Sequence, residues 1–166
     1  MSRGLGDVYK RQSFDCSIRV LNSDAILEQA GMKAVQLGVV EKPIVNDSVD
    51  RVTLREDRLV LAGDPHGVWM VREHGSGVRY YTDLYFKTVG SMPSRMIEVA
   101  NNAAIGAALA AGFGCSLVSA AAVPAGVPTR ELGDEFVRRF YALVPRSGLT
   151  PGQRELAGRV IAALRG

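Results

Sequence analysis

The residues best suited to chemistry in this sequence are short polar groups beside glycine at predicted helix beginnings. Gly75, Ser76 and Gly77 stand between a predicted strand and a predicted helix. Glycine lets the backbone approach a ligand closely, and the first N–H groups of a helix lack internal partners and carry a partial positive charge. This arrangement favours a bound carboxylate or similar anion, to which the Ser76 hydroxyl can also donate. The alternative is a plain helix cap without a ligand.

Two other predicted helix beginnings carry amide and hydroxyl side chains that could join this site. Asn22 and Ser23 begin one helix, and Asn101 and Asn102 begin another. Each pair follows a predicted strand, and open α/β sheets bind ligands beyond the carboxyl ends of their strands. Convergence of the three helix beginnings on one cleft predicts a polar or anionic ligand. For any single residue, ordinary capping, worth about 1 kcal/mol, is an equally good explanation.

The remaining polar candidates carry weaker signals. Glu41 and Ser119 end predicted strands near these caps and could select among ligands, but an exposed loop position is the simpler interpretation of each. His66 and His74 have no acidic or cysteine partner at metal-ligand spacing, so we expect no metal. The sequence has no nucleophile–base pattern, paired carboxylates or phosphate-binding loop motif. We therefore expect no enzymatic activity and no cofactor.

Predicted strands and helices alternate along the chain, which is typical of the α/β class with mainly parallel sheets. The first strand, helix and strand form a βαβ unit, and a loop at residues 63–67 is a candidate boundary between two lobes. Apolar patterning predicts strands at residues 17–21, 35–40, 50–54, 58–61, 68–71, 96–99, 115–118, 129–132 and 136–144. Capping and periodicity predict helices at residues 25–30, 78–89, 103–111 and 151–164.

Composition places the 166-residue chain among ordinary globular proteins of one domain or two small lobes, with 47% hydrophobic and 22% charged residues. The net charge of +3 comes without a run of five like charges, which argues against a nucleic-acid-binding arm. The two cysteines are far apart, so we expect no disulfide framework and favour a reducing cytoplasm. No secretory or membrane-spanning segment is predicted, because glycines, polar residues and Pro124 interrupt the longest apolar stretch.

The first dozen residues are predicted not to belong to the natural protein. Residues 7–12, DVYKRQ, resemble translated adaptor DNA from sequencing-library preparation. Such tails are excluded from fold reasoning, so we treat residues 1–12 as a non-native tail. The alternative is a natural, frayed amino terminus. If the tail comes from an adaptor, the native gene continues upstream and this chain is a fragment.

Over residues 17–165 the chain resembles the effector-binding domain of LysR-type transcriptional regulators. Residues 21–41 are similar to the family's strand, capped helix and "DLGLV" strand, and residues 72–79, REHGSGVR, to its "REPGSGTR" turn. Residues 99–115 are similar to its "GSNEAI…VAAGLGI" segment, and residues 140–151 to its "FYLVHRKGRRLSP" segment. Each motif alone is generic, but four in the family's order are specific.

The resemblance implies an α/β fold of two Rossmann-like lobes of the type 2 periplasmic-binding-protein kind, with an incomplete first lobe. Lobe I would comprise residues 13–61 and 137–166, and lobe II residues 62–136. The family's winged helix-turn-helix, linker helix, and first strand and helix of lobe I are absent, and the connection at residues 61–69 is short. A small, anionic effector would bind in the cleft between the lobes. The expected effector-binding residues are Gly75, Ser76, Gly77, Asn22, Ser23, Asn101, Asn102, Glu41 and Ser119.

The resemblance implies a cytoplasmic ligand-responsive regulator, forming dimers or tetramers when complete and contacting DNA only through the absent helix-turn-helix. Two other classes stay open from the sequence. One is a solute-binding protein of a transporter with the same fold, and the other is an enzyme using the Gly75–Gly77 turn. We also expect the isolated chain to behave poorly, because loss of a strand exposes a sheet edge.

Overall fold

The structure is a computed structural model that describes residues 16–165. The predicted non-native tail at residues 1–12 lies outside this range. The helices are α1 (Ser23–Gly31), α2 (Gly77–Val89), α3 (Asn102–Ala110) and α4 (Pro151–Arg165), with 3-10 turns at Ala120–Ala122 and Asp134–Phe136. The strands are β1 (Gly38–Val40), β2 (Val49–Gly63), β3 (Trp69–Val71), β4 (Met96–Glu98), β5 (Cys115–Ser119), β6 (Thr129–Arg130) and β7 (Val137–Pro145).

Two long strands, β2 and β7, form the axis of the molecule. They pair antiparallel from Val49 opposite Pro145 to Arg58 opposite Val137. Beyond Arg58, β2 continues and pairs with β5 and β6 instead. The strand order is β1-β7-β2-β5-β3-β4, with β6 also beside β2. The same strand therefore holds the two ends of the sheet together.

The prediction of two strands at residues 50–54 and 58–61 is wrong, because the chain forms the single strand β2. Its register shifts between Thr53 and Glu56, which is a β-bulge or similar irregularity. The charged residues 55–57 interrupt the apolar pattern without breaking the strand. An irregularity of this kind takes up extra residues and bends the strand while pairing continues on both sides.

The prediction of mainly parallel pairing is also wrong for the described residues. Only β3 with β4 and β3 with β5 are parallel, and each of these connections contains a helix, α2 or α3. The other four pairings are antiparallel. Parallel neighbours require a crossover, usually helical, whereas the long β2 and β7 run past each other directly.

Residues 17–21 do not form the predicted strand, and so the predicted βαβ unit is wrong. Ile18 and Val20 are 89% and 94% exposed, and none of the described strands pairs with this segment. The next predicted strand is confined to β1, which pairs antiparallel with β7. An alternating sequence forms a strand only where a neighbouring strand supplies hydrogen bonds and packing.

Three apolar clusters pack α1, α2 and α3 against the sheet. α2 buries Val78, Tyr81, Thr82, Tyr85 and Phe86, which follow the i, i+3, i+4, i+7, i+8 spacing of one helix face. Tyr81 and Tyr85 are each 7% exposed on this face, whereas Thr88, one turn further on, is exposed. The other clusters pack α1 against β1 and β7, and α3 against β2 and β3. No helix within residues 16–165 is long and apolar enough to cross a membrane.

Candidate functional site

The beginnings of α1 and α2 lie against each other. Asn22 caps α1, and its Oδ1 accepts a hydrogen bond from the backbone N–H of Ala25 at 2.9 Å. The Asp24 N–H donates to the carbonyl of Gly75, just before α2, at 3.2 Å. Gly75 has a φ of +91°, and a Cβ there would lie 3.3 Å from Asn22 Oδ1. Glycine is therefore required at 75 both by conformation and by the approach of α1.

Ser76 occupies the N-cap position of α2 without making the usual capping hydrogen bond. Its side chain makes no capping bond, it is 2% exposed, and its Oγ has no hydrogen-bond partner among the described residues. Nearly all buried polar groups in proteins are hydrogen-bonded, and the first N–H groups of a helix need external acceptors. The Ser76 hydroxyl is therefore a buried donor without an acceptor among the described residues.

The Glu41 carboxylate lies between three elements at this point. Its Oε2 accepts a hydrogen bond from Ser23 Oγ at 3.3 Å. Its Oε1 lies 3.7 Å from Arg138 Nη1 and 2.9 Å from the position that a Cβ on Gly77 would take. Glu41 is half-buried, and its side chain packs where only glycine at 77 leaves room. Glu41 therefore lies in a loop, as the simpler interpretation held, but it is half-buried and not exposed.

Arg138 is a buried charge that was not among the predicted site residues. Its side chain is 5% exposed, its Nε donates to Asp57 Oδ2 at 2.7 Å, and its Nη1 has no hydrogen-bond partner among the described residues. Asp57 Oδ1 in turn accepts from Ser119 Oγ at 2.6 Å, which links Ser119 to the site. The sequence offered one signal, an arginine between Phe136 and Phe140 in a predicted apolar strand. An arginine is seldom buried unless it is paired, so this position pointed to a buried ion pair.

The structure thus brings most of the predicted residues together, and we name this group the cap cluster. Ser119 is joined to it through Asp57. The cap cluster consists of Asn22, Ser23, Glu41, Gly75, Ser76, Gly77 and Arg138.

The third helix beginning connects to the cap cluster only indirectly. Asn101 caps α3 locally, with Oδ1 accepting from the Ala104 N–H at 2.7 Å. Asn102 Oδ1 accepts a hydrogen bond from Arg72 Nη1 at 2.8 Å. Arg72 also donates to both carboxylate oxygens of Glu73, each at 2.9 Å. These hydrogen bonds from Arg72 hold the pKa of Glu73 below its usual value, despite opposing burial, and Asn22 acts in the same direction as Arg72. Asn101 therefore lies apart, and Asn102 is linked through Arg72 to Glu73, whose pKa Asn22 also lowers.

A cavity of about 470 Å³ lies beside the cap cluster on the β2–β7 pair. Two ion pairs on its wall, Arg139 with Glu56 at 2.9 Å and Arg58 with Asp134 at 3.4 Å, neutralise its charges. Tyr81, one turn after Gly77 in α2, lines the cavity and is close enough to the cap cluster to feel its charges. Burial raises the pKa of Tyr81, Arg138 opposes the rise and Glu41 adds to it. The lining residues include none of the nine predicted ones and are Glu56, Arg58, Tyr81, Asp134, Val137, Arg139 and Tyr141.

The two histidines have structural surroundings. The Arg79 Nη2 lies 3.2 Å from His74 Nε2 and can donate to it, and the His66 N–H donates to Asp64 Oδ1 at 2.9 Å within a turn. Within residues 16–165, no group of three or more histidine, cysteine, aspartate or glutamate residues could hold a metal ion.

Comparison with known proteins places the chain in a family. A family model described as the LysR substrate binding domain matches residues 9–165. An HTH-type transcriptional regulator encoded in the lacR 5′ region of Staphylococcus xylosus is 27% identical over 129 residues, covering 74% of this chain and 47% of that protein. The chain therefore spans about half the length of this relative.

Solved structures show the same fold. The Synechocystis PCC6803 CcmR regulatory domain in complex with 2-PG has a TM-score of 0.71, with 22% identity over 90% of this chain and 83% of that one. The effector-binding domain of QuiR in complex with shikimate has a TM-score of 0.69, with 13% identity over 85% and 76%. These comparisons do not support the alternative of a transporter protein. The mixed α/β fold is that of effector-binding domains, and the chain belongs to the LysR substrate-binding domain family.

Proposed function

We propose that this chain is the effector-sensing part of a LysR-type transcriptional regulator, and that the cap cluster binds a small molecule bearing a carboxylate or similar anion. The observation that carries the proposal is a pair of buried groups, Ser76 Oγ and Arg138 Nη1, that lack hydrogen-bond partners among the described residues. The Glu41 side chain packs over Gly77, the residue after Ser76, and its Oε1 lies 3.7 Å from Arg138 Nη1.

The chemistry of the free groups favours an acceptor-rich ligand. Arg138 can only donate hydrogen bonds, and Asp57 engages its Nε but leaves Nη1 without a hydrogen bond, 3.7 Å from Glu41 Oε1. The first N–H groups of α2 are also donors, and the helix dipole favours negative charge there. A carboxylate or phosphate oxygen would satisfy these donors, whereas an apolar ligand would leave them unpaired at a cost of about 1–3 kcal/mol each.

The ligands of the structural neighbours agree with this choice. CcmR is bound to 2-PG and QuiR to shikimate, and shikimate carries a carboxylate. Their low identity to this chain leaves the particular effector open, so the proposal extends to the class of small organic anions.

The site suggests how binding would be transmitted. The cap cluster joins residues of the proposed lobe I, at 13–61 and 137–166, to the Gly75–Gly77 turn of the proposed lobe II, at 62–136. An effector that contacts both lobes favours the arrangement in which those contacts are best, and so shifts the population of lobe arrangements. In a complete, cytoplasmic regulator, the shift would change how a dimer or tetramer presents a separate helix-turn-helix to DNA. No catalytic step is part of this proposal.

Binding of small anions to variants of the cap cluster tests the proposal. Isothermal titration of a panel including shikimate, benzoate and 2-PG should give at least one saturable ligand for the unchanged chain. Ser76→Ala should weaken that ligand about tenfold or more, because a hydrogen bond to a charged group contributes about 1.5–3 kcal/mol. Thr150→Ala is the matched control, since Thr150 caps α4 outside the cluster.

Two results would overturn the assignment of the site. One is an anion from the panel that binds the Ser76→Ala variant and the unchanged chain equally well. The other is a panel in which only uncharged analogues bind. Tight, sequence-selective binding of DNA to this chain alone would contradict the proposed division of labour within the regulator.

A further inference from the structure

We infer that Glu41 is a built-in competitor for the effector: its carboxylate occupies the anion position of the cap cluster, and a bound anion must displace it. This inference rests on the proposed function and adds a determinant of specificity to it. Glu41 is the carboxylate in contact with the beginning of α1, the beginning of α2 and β7 at once.

The contacts of Glu41 are those that an effector carboxylate would seek. Ser23 Oγ donates to Oε2 at 3.3 Å, and Arg138 Nη1 faces Oε1 at 3.7 Å. The side chain lies over Gly77, the first residue of α2, where helix amides need acceptors. None of these contacts is optimal, because the Arg138 separation exceeds hydrogen-bonding distance and Ser76 Oγ remains without a partner.

This imperfect fit is what makes Glu41 replaceable. A free carboxylate is not tied to the end of β1, so it can approach Arg138 and Ser76 within hydrogen-bonding distance. Once displaced, Glu41 can turn toward solvent, since its side chain is already 21% exposed. A ligand must therefore outcompete a carboxylate that is always present at high local concentration.

The consequence is selectivity against simple anions. Acetate offers the cap cluster nothing beyond the group that Glu41 already supplies, and so it should bind the unchanged chain weakly. An effector gains over Glu41 only through additional contacts or a second charge. Asp57 makes weak anions bind less well still, because it holds Arg138 Nε at 2.7 Å and adds a second negative charge nearby.

Acetate itself is the probe that tests the inference. The amide resonances of Gly77 and Val78 are followed by NMR while acetate replaces chloride at constant ionic strength. Glu41→Ala removes the competitor, and acetate should then perturb these amides at a concentration at least tenfold lower than in the unchanged chain. Glu155→Ala, an exposed site on α4, is the control and should behave as the unchanged chain does.

Glu41→Gln provides a second variant that keeps the size of the side chain and removes its charge. It should also bind acetate more tightly than the unchanged chain. Equal acetate midpoints in all variants, or no perturbation in either Glu41 variant, would overturn the inference. So would weaker binding of the panel anions after Glu41→Gln, because Glu41 would then contact the effector favourably. The proposed function fails separately, when Ser76→Ala leaves binding of the panel anions unchanged.

Discussion

At the residue scale, the helix caps differ in whether their side chains make the capping hydrogen bond. Asn101 makes it, whereas Ser76 does not. Asn101→Ala should therefore lower the free energy of unfolding by about 1 kcal/mol. Ser76→Ala should change it by less than about 0.5 kcal/mol, since no hydrogen bond is lost with the hydroxyl. Urea denaturation with matched m-values measures both, and a cost at Ser76 as large as at Asn101 would show that its hydroxyl is bonded without ligand.

A second prediction at this scale concerns the two thiols. Burial raises the pKa of Cys115 from its ordinary value of 9.0 to about 12, and Asp64 adds to the shift, while Cys16 is exposed. Because the thiolate is the reactive form, iodoacetamide at pH 8 should modify Cys16 in the folded protein and Cys115 only after unfolding. Mass spectrometry of the modified chain, with Cys16→Ser as the control, checks this. Prompt modification of Cys115 in the folded state would contradict its burial.

The same shift sets a pH dependence of stability. The pKa of Cys115 is higher in the folded protein than in the unfolded chain, so ionisation favours unfolding. The stabilising effect of the protonated thiol is fully present below pH 9 and is lost as the pH rises toward about 12. Replacement of Cys115 by alanine should flatten this part of the stability profile in alkaline denaturant titrations. An unchanged slope would mean that other groups dominate the alkaline loss.

The sequence predicted the caps well and the buried charges badly, and distance along the chain explains the difference. Asn22 and Asn101 each bond an amide three residues away, so the pattern is visible locally. Arg138 meets Asp57 across 81 positions, and Ser119 meets Asp57 across 62. Contacts of that range depend on which distant strands become neighbours, and a local pattern does not name the neighbour of a strand.

At the element scale, helices were more predictable than strands for the same reason. The predicted helices at 78–89 and 103–111 match Gly77–Val89 and Asn102–Ala110 to within a residue. A helix satisfies its backbone within itself, whereas a strand needs a neighbour. Residues 17–21 have a strand-like pattern but no described partner strand, and β2 continues through a charged stretch because β7 lies alongside it.

Gly75 and Gly106 occupy different kinds of position, so alanine should have opposite effects on stability at the two. Gly75 has a φ of +91° against α1, so Gly75→Ala should destabilise the fold by about 1–3 kcal/mol. Gly106 lies inside α3 with nothing within 4 Å of its Cβ position, so Gly106→Ala should stabilise the fold by about 0.5–1 kcal/mol. Chemical denaturation of the two variants measures the opposite signs. Destabilisation by Gly106→Ala would mean that another surface covers α3.

At the scale of the whole molecule, β2 determines how the parts are joined. Its first ten residues pair with β7 and its last five with β5, so the two apolar regions on either side share one strand. The sequence resemblance implied two lobes with crossing strands, and the shared strand is compatible with that arrangement. The boundaries of the lobes stay a prediction, because no feature of β2 separates one lobe from the other.

Exposed apolar surface leads to the last prediction, that the isolated chain self-associates. β4 ends the strand order, and its residues Met96 and Ile97 are each 42% exposed. An exposed edge with apolar side chains can pair with another chain. Ile97→Lys should therefore reduce light scattering at micromolar protein concentration, since a charge on an edge strand opposes such pairing. Val160→Lys, at a 38% exposed position, adds the same charge on the helix α4 and not on an edge strand, so it should have little effect. A monomeric, cooperative melt of the unchanged chain would contradict this prediction.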